Sequence, residues 1–200
     1  QAEDGIRDCL LSRGLGDVYK RQILDIAGQA IPKDVTGRSL IKVLAEDADK
    51  RDSLIFGYFG AAINICDGRY SYFHYPVVDA AEHLFEYTLM PTRMTTRFSI
   101  TELLGATLHP SFSFTKGVPV LRLPPKMDED GMPVEVQGMP FADQQSQLFD
   151  LQNDPRQEIP IDDPVKTEYM RQLIIQNMVR LDAPAEAFSR FGFKTPSIKK

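Results

Sequence analysis

The chain has 200 residues, 42% hydrophobic and 26% charged, with a formal net charge of -5 and no tryptophan. That apolar share suits a domain core or part of a larger one and excludes a disordered tail. The acidic balance excludes a phosphate-backbone binder, and no apolar run reaches the roughly 20 residues of a bilayer span, so neither a nucleic-acid nor a membrane partner is expected.

Residues 1–22, QAEDGIRDCLLSRGLGDVYKRQ, show neither the helical period nor strand alternation over a useful window. Their pattern has another source. QAEDGIRD resembles the direct translation of a sequencing-library adaptor, GLGDVYKRQ resembles that of a transposase-derived adaptor end, and CLLSR between them has the length of a variable index. The segment therefore reads as non-native and is set aside from fold reasoning. Gly14-Leu15-Gly16 lacks the remaining spacing of a dinucleotide or phosphate-loop fingerprint. The segment holds four acids and four bases, so residues 23–200 keep the same net charge and retain one cysteine, Cys66.

ILDIAG reads as the end of a helix stopped near Gly28, with its beginning cut off at Ile23. A loop with Pro32 and Gly37 leads to a short apolar segment at residues 39–44 and a charged, exposed stretch, AEDADKRD. In SLIFGYFGAAINICDGRYSYFHYP, Asp67-Gly68 lies between two β-rich runs and predicts a hairpin, because Asp-Gly suits the positive φ of a two-residue turn. With Cys66 opposite Arg69, Ile65 would face Tyr70, Ile63 would face Tyr72 and Asn64 would face Ser71. Ala61, Ile63, Ile65, Tyr70, Tyr72 and His74 would form the packed face. Residues 56–59 begin the same strand or another one, and HLFEYTL at residues 83–89 extends the sheet to three or four antiparallel strands.

Ser99-Ile100-Thr101-Glu102 matches a capping box opening a short helix that Gly105 can end. SFSFTKGVPVLRLPP fits an irregular strand against the sheet, and residues 127–140 form a surface loop. A short strand at residues 147–151 precedes the turn chemistry of Asn153-Asp154-Pro155. Asp163 as N-cap with Pro164 at the first helical position starts a helix to about Leu181, with an apolar stripe of Val165, Tyr169, Leu173, Ile174 and Met178. A last short helix spans residues 184–190. The expected class is α+β, a small antiparallel sheet packed with a long C-terminal helix.

No complete catalytic constellation is visible. His74, His83 and His109 lack zinc-site spacing, and packing or surface hydrogen bonding outweighs a catalytic role for each. Cys66 reads as a half-buried strand residue, with no base placed near it. Asp150, Asn153 and Asp154 lack the glycine and distal glutamate of a calcium loop and read as turn formers. Ser111-Phe112-Ser113 lacks the nucleophile elbow. Lys116, between an aromatic strand and Gly117, is the cation best placed to meet an anionic substrate, although a solvent-facing lysine is the commoner case. His74, His109 and Lys116 are the substrate-cleft candidates, and no catalytic or metal residue is assigned.

The order of motifs adds a resemblance. ILDIAGQAIPKDVTGRSLIKVL resembles the stretch closing the catalytic α/β domain of sulfatases. RDSLIFGYFGAAINICDGRYSYFHYP resembles their strand pair with an Asp-Gly-Arg-Tyr turn, and LFDLQNDPRQEIPI their Leu-Tyr/Phe-Asp-Leu-x-x-Asp-Pro-x-Glu signature. EYTLMPTRM and FSFTKGVPVLRLP resemble segments of bacterial members. The set covers nearly all of residues 23–193. The resemblance implies a C-terminal portion of a sulfatase of the alkaline-phosphatase superfamily: residues 23–50 closing the truncated catalytic domain, residues 51–193 forming the C-terminal subdomain and residues 194–200 a tail. It further implies a parent that hydrolyses sulfate esters, of small molecules or carbohydrates, with a formylglycine made from Cys or Ser beside a calcium ion. Those motifs lie upstream in the family and match no position here. Cys9-Leu10-Leu11-Ser12-Arg13 mimics the modified Cys-x-Pro-x-Arg stretch but lacks its proline and lies in the adaptor-like segment. The expected partner of this piece is the missing N-terminal catalytic domain, and its role is to buttress that domain and line the substrate cleft while being inactive alone. A phosphonate or phosphate ester hydrolase of the same superfamily and a non-catalytic α+β binding module are the alternatives.

Overall fold

The computed structural model describes residues 13–32, 41, 52–57, 59–77, 83–90, 92, 97–125 and 145–195. Cys9, the segment at 39–44 apart from Ile41, the charged stretch up to residue 51 and the loop at 127–140 fall outside them. The chain divides into two compact units, Gln1–Arg51 and Asp52–Lys200.

In the first unit, helix α1 spans Arg13–Ile26. It starts inside the segment set aside from fold reasoning. An apolar stripe governs burial of a helix, whereas its formation draws on helix formers such as Leu15, Lys20, Arg21, Gln22 and Leu24. The helix stops as its sequence predicts. Gly28 has φ +63°, its N–H donates to the Asp25 carbonyl at 3.1 Å, and the Gln29 N–H donates to the Leu24 carbonyl at 2.8 Å. This pair of bonds satisfies carbonyls that a helix end would otherwise orphan.

The second unit is α+β, with two small antiparallel sheets. The first holds β1 (Leu54–Gly57), β2 (Ile63–Cys66), β3 (Tyr70–His74) and β7 (Gln147–Asp150) in the order β1-β2-β3-β7. The β2–β3 hairpin forms, but its register differs from the expected one. Ile63 faces His74, Ile65 faces Tyr72 and Cys66 faces Ser71. Gly68 and Arg69 are therefore the two central turn residues, Gly68 supplying φ +93°. The cause is Asp67. Its Oδ1 accepts the N–H groups of Arg69 at 3.0 Å and Tyr70 at 2.7 Å, which fixes the carboxylate at the residue before the turn. Each strand slips by one residue in opposite senses, so the partners change and the faces do not. Ile65, Tyr72 and His74 share the packed face with Ile63 and Tyr70, as alternation predicts. At the start of β2 the chain passes so close to β1 that a Cβ on Gly57 would lie 2.6 Å from the Ala62 carbonyl oxygen.

Helix α3, Pro164–Arg180, covers that face. Asp163 caps it, its side chain accepting the Lys166 N–H at 2.9 Å, with Pro164 in the first turn. Its buried residues are Met170, Ile174, Asn177 and Met178. The expected stripe erred at its first two members: Val165 is 83% exposed and Tyr169 is also exposed. At 3.6 residues per turn these two fall roughly 120–160° from the centre of the buried stripe, because a row read at steps of four drifts around the helix. Met170, Ile174 and Met178 pack with Ile65, Tyr72, Leu148, Phe188, Phe191 and Phe193 in one cluster. Helix α4, Ala185–Arg190, follows, and Gly192 at φ +68° turns Phe193 back into that cluster.

The second sheet has β4 (Glu86–Thr88), β6 (Val120–Leu123) and β5 (Thr107–His109) in the order β4-β6-β5. The strand expected at 83–89 thus joins a separate sheet and does not extend the first. SFSFTKGVPVLRLPP likewise contains the central strand of this sheet, preceded by a 3-10 turn at Ser113–Thr115. A strand of three or four residues cannot select its partner by alternation alone, so both assignments lay beyond the sequence pattern. Between β4 and β5 lies the expected short helix, α2 (Ile100–Leu104), with both hydrogen bonds of the Ser99–Glu102 capping box and Gly105 at its C-cap.

The buried stripe carries a prediction. Ile174→Ala should cost about 2–5 kcal/mol in urea unfolding, while Val165→Ala should change stability by less than about 0.5 kcal/mol. Equal effects would contradict the facing of α3.

Candidate functional site

Among the described residues, three groups of side chains gather polar or titratable atoms. In the first, β3 places His74 in the core at 2% exposure. Its Nε2 lies 2.8 Å from the Phe191 carbonyl oxygen. A carbonyl only accepts, so Nε2 carries the proton and Nδ1 is left as acceptor. Nδ1 faces the Tyr72 hydroxyl at 3.1 Å and Ser146 Oγ at 3.4 Å. The ring stacks on Phe193 with centroids 4.8 Å apart. Burial pushes the imidazole below its ordinary value, the Phe191 carbonyl opposes that, and Arg171 adds to it. The arrangement holds a neutral histidine that joins β3 to the chain after α4.

The second group joins the hairpin turn to the strand β7. Asp150 accepts Arg69 Nε at 3.3 Å and Nη2 at 2.9 Å, the Gln152 N–H at 3.1 Å and Asn153 Nδ2 at 3.0 Å. The bidentate Arg69 holds the Asp150 carboxyl below its ordinary range, and Asp150 in turn raises the guanidinium. The Leu151 N–H donates to the Arg69 carbonyl at 2.7 Å, and the Ile159 N–H donates to Asp154 Oδ2 at 2.8 Å. Both Asp150 oxygens are thus engaged by donors, one of them a cation. A calcium ion needs free carboxylate oxygens, so Asp150, Asn153 and Asp154 do not fit one. Cys66 is half-buried at the hairpin, its Sγ accepting the Gly68 N–H at 3.3 Å.

The third group lies on one face of the second sheet. Register sets Tyr87 opposite Arg122 and His109 opposite Val120, and period-two alternation puts Tyr87, Arg122 and His109 on the same side. Glu186 of α4 meets them there. The Tyr87 hydroxyl donates to Glu186 Oε1, and Arg122 Nε lies 3.2 Å from the same oxygen. The Arg122 guanidinium also sits over the Phe85 ring at 3.4 Å. Burial and then the Glu186 carboxylate push the Tyr87 hydroxyl far up, which keeps it a protonated donor and no nucleophile. Burial pushes Glu186 up, but the Tyr87 hydroxyl, a backbone amide, Arg122 and His109 outweigh it and hold the carboxyl below its ordinary range. His109 Nδ1 lies 2.8 Å from the Pro110 carbonyl oxygen, so Nδ1 is the donor there. Its ring stacks on Phe112 at 5.0 Å, with Tyr87 edge-on to it at 5.0 Å.

His109 and Lys116 therefore belong to the same segment around the 3-10 turn, Lys116 exposed at φ +55°, while His74 belongs to the first sheet. His83 precedes β4 with φ +58° and is half-buried. Tyr87, Arg122 and Glu186 carried no sequence signal, since they come from two short strands and a six-residue helix whose meeting only the tertiary fold decides. Among the described residues no group of three or more His, Cys, Asp or Glu is placed to hold a metal ion. No protein-family model matches the chain, and no curated protein matches it.

The buried histidine predicts a pH dependence. Its folded value lies below the ordinary 6.5, so its contribution to stability is complete above that value and is lost as pH falls toward the folded one. His74→Gln, which keeps hydrogen-bonding capacity without titrating, should cost about 1–3 kcal/mol at neutral pH. It should also flatten the stability decline between about pH 7 and pH 5. Unfolding midpoints measured across that range check both, and an unchanged slope in the variant would contradict the assignment.

Proposed function

We propose that residues 23–200 are the C-terminal portion of a sulfatase-type hydrolase, buttressing a catalytic domain encoded upstream and inactive alone. The observation that carries this reading is the pairing of the two most specific family-like motifs. Asp67-Gly68-Arg69-Tyr70 and Leu148-Phe149-Asp150-Leu151 lie some eighty positions apart, yet the side chains that define them bind one another, Arg69 to Asp150, while Asp67 shapes the turn. The ordered resemblance thus falls on residues with an architectural role, which suits a supporting subdomain. The small antiparallel sheet under a long helix agrees with it. Residues 1–22 are read as translated adaptor, with α1 running from that segment into the residues after Ile23.

In this reading calcium and formylglycine belong to residues before Ile23, and the residues present here contribute packing and a rim to the substrate cleft. The test is the coding sequence that naturally precedes Ile23. A Cys/Ser-x-Pro/Ala-x-Arg motif in frame is expected. A different nucleophile motif would assign the chain to a phosphonate or phosphate ester hydrolase, and an unrelated domain or a stop codon would end the proposal. The chain alone should hydrolyse 4-nitrophenyl sulfate no faster than buffer, with calcium present or absent, and turnover abolished by a substitution in the chain would refute its inactivity.

A further inference from the structure

Ser146 stands one residue before β7, exposed, with its hydroxyl beside the buried ring of His74. Its Oγ lies 3.4 Å from His74 Nδ1 and accepts the Tyr75 N–H at 3.1 Å. The amide takes a lone pair of the oxygen and leaves the hydroxyl proton for Nδ1. At the other ring nitrogen, Nε2 donates to the Phe191 carbonyl at 2.8 Å, which makes Nδ1 the basic atom. The ring is held in that orientation. It is 2% exposed and packs against Phe193 and Phe191, with centroids 4.8 and 6.0 Å away.

A hydroxyl, an imidazole base and a third group that orients the base are the three parts of an activated serine. Here the orienting group is a main-chain carbonyl in place of a carboxylate. The set has no sequence signature, because its members come from β3, the residue before β7 and the chain after α4. Among the described residues, the polar partners of Ser146 are the Tyr75 amide and His74, both uncharged near neutral pH. They suit a neutral carbonyl and offer no charge to a phosphate or sulfate.

We propose that Ser146 is a nucleophile that accepts one acyl group from an activated carboxylic ester, a thioester or an aryl ester, with His74 as its base. Ser146 Oγ bonds to the carbonyl carbon as its proton passes to His74 Nδ1. The bond from that carbon to the leaving sulfur or oxygen breaks, and the departing thiolate or phenolate takes the proton back from Nδ1, restoring the neutral ring. The Tyr72 hydroxyl shares Nδ1 at 3.1 Å. It donates while the ring is neutral and turns to accept the new N–H once the proton arrives. The Ser146 contact is the longer of the two and shortens as an electrophile meets Oγ. Hydrolysis of the acyl-serine would need the same base to reach water, and burial of His74 denies it that. The group therefore stays on Ser146, and the event is a single acylation without turnover. The inference is independent of the sulfatase reading.

The test mixes the full chain with 4-nitrophenyl acetate, follows release of 4-nitrophenol, and locates the acetyl group by peptide mass spectrometry. A burst of one equivalent with the acetyl group on Ser146 is expected. The burst should be slower in D2O than in H2O, because a proton moves as the new bond forms. Ser146→Ala should remove it with a nearly unchanged unfolding midpoint. His74→Gln should slow it about a hundredfold; if that variant does not fold, the D2O comparison on the unaltered chain decides the role of the base. Acetyl groups confined to lysines, Ser146 labelled no faster than other serines, a burst indifferent to His74→Gln in the folded variant, or equal rates in H2O and D2O would each overturn the proposal.

Discussion

The second unit depends on one contact, the seating of Met170, Ile174 and Met178 of α3 on Ile65, Tyr72 and Leu148 of the first sheet. These side chains are nearly inaccessible to solvent, and burial of large apolar groups is the dominant favourable contribution to folding. Four strands of four or five residues have little independent stability as a sheet. The helix gives their inner face a partner, and the N-cap at Asp163 and the left-handed Asp182 after Leu181 set where it begins and stops.

The chain after α3 carries the consequences of that seating to the rest of the unit. Asp182 accepts from the 3-10 turn, Glu186 meets Tyr87 and Arg122 on the second sheet, and Arg190 donates from Nη2 to the Gly60 carbonyl at 2.7 Å. The Phe191 carbonyl accepts from His74, and Phe193 closes the first core. Twelve residues thus tie both sheets to the helix. Polar groups in these ties are charged or buried neutral according to their partners. His74 is kept neutral by burial, against the opposing effect of its carbonyl partner, Tyr87 is kept protonated by burial and by Glu186, and Asp150 is kept ionised by Arg69.

Sequence patterning was most informative where local chemistry decides the outcome. The Ser99 capping box, the Asp163–Pro164 helix start, the Gly28 stop and the facing of Ile65, Tyr72 and His74 all follow from short runs of consecutive residues. It was less informative where two local signals compete. Asp-Gly suits both central positions of a hairpin turn, and only the carboxylate bonds of Asp67 to two following amides place it one residue earlier. It was silent where partners are distant. Glu86–Thr88 pairs with Val120–Leu123 some thirty-five positions on, and neither strand is long enough to announce its sheet. The Tyr87–Arg122–Glu186 contact depends on that pairing and was equally hidden.

The ledger of contacts makes α3 and the strands β2, β3 and β7 one cooperative element, with the second sheet attached through the chain that follows. Native-state amide hydrogen exchange across a urea series measures this directly. The amides of Ile65, Tyr72, Leu148 and Ile174 are expected to share the highest protection among the described residues and to open together with one denaturant dependence. Opening of α3 at a lower free energy than the hairpin, with its own slope, would contradict it.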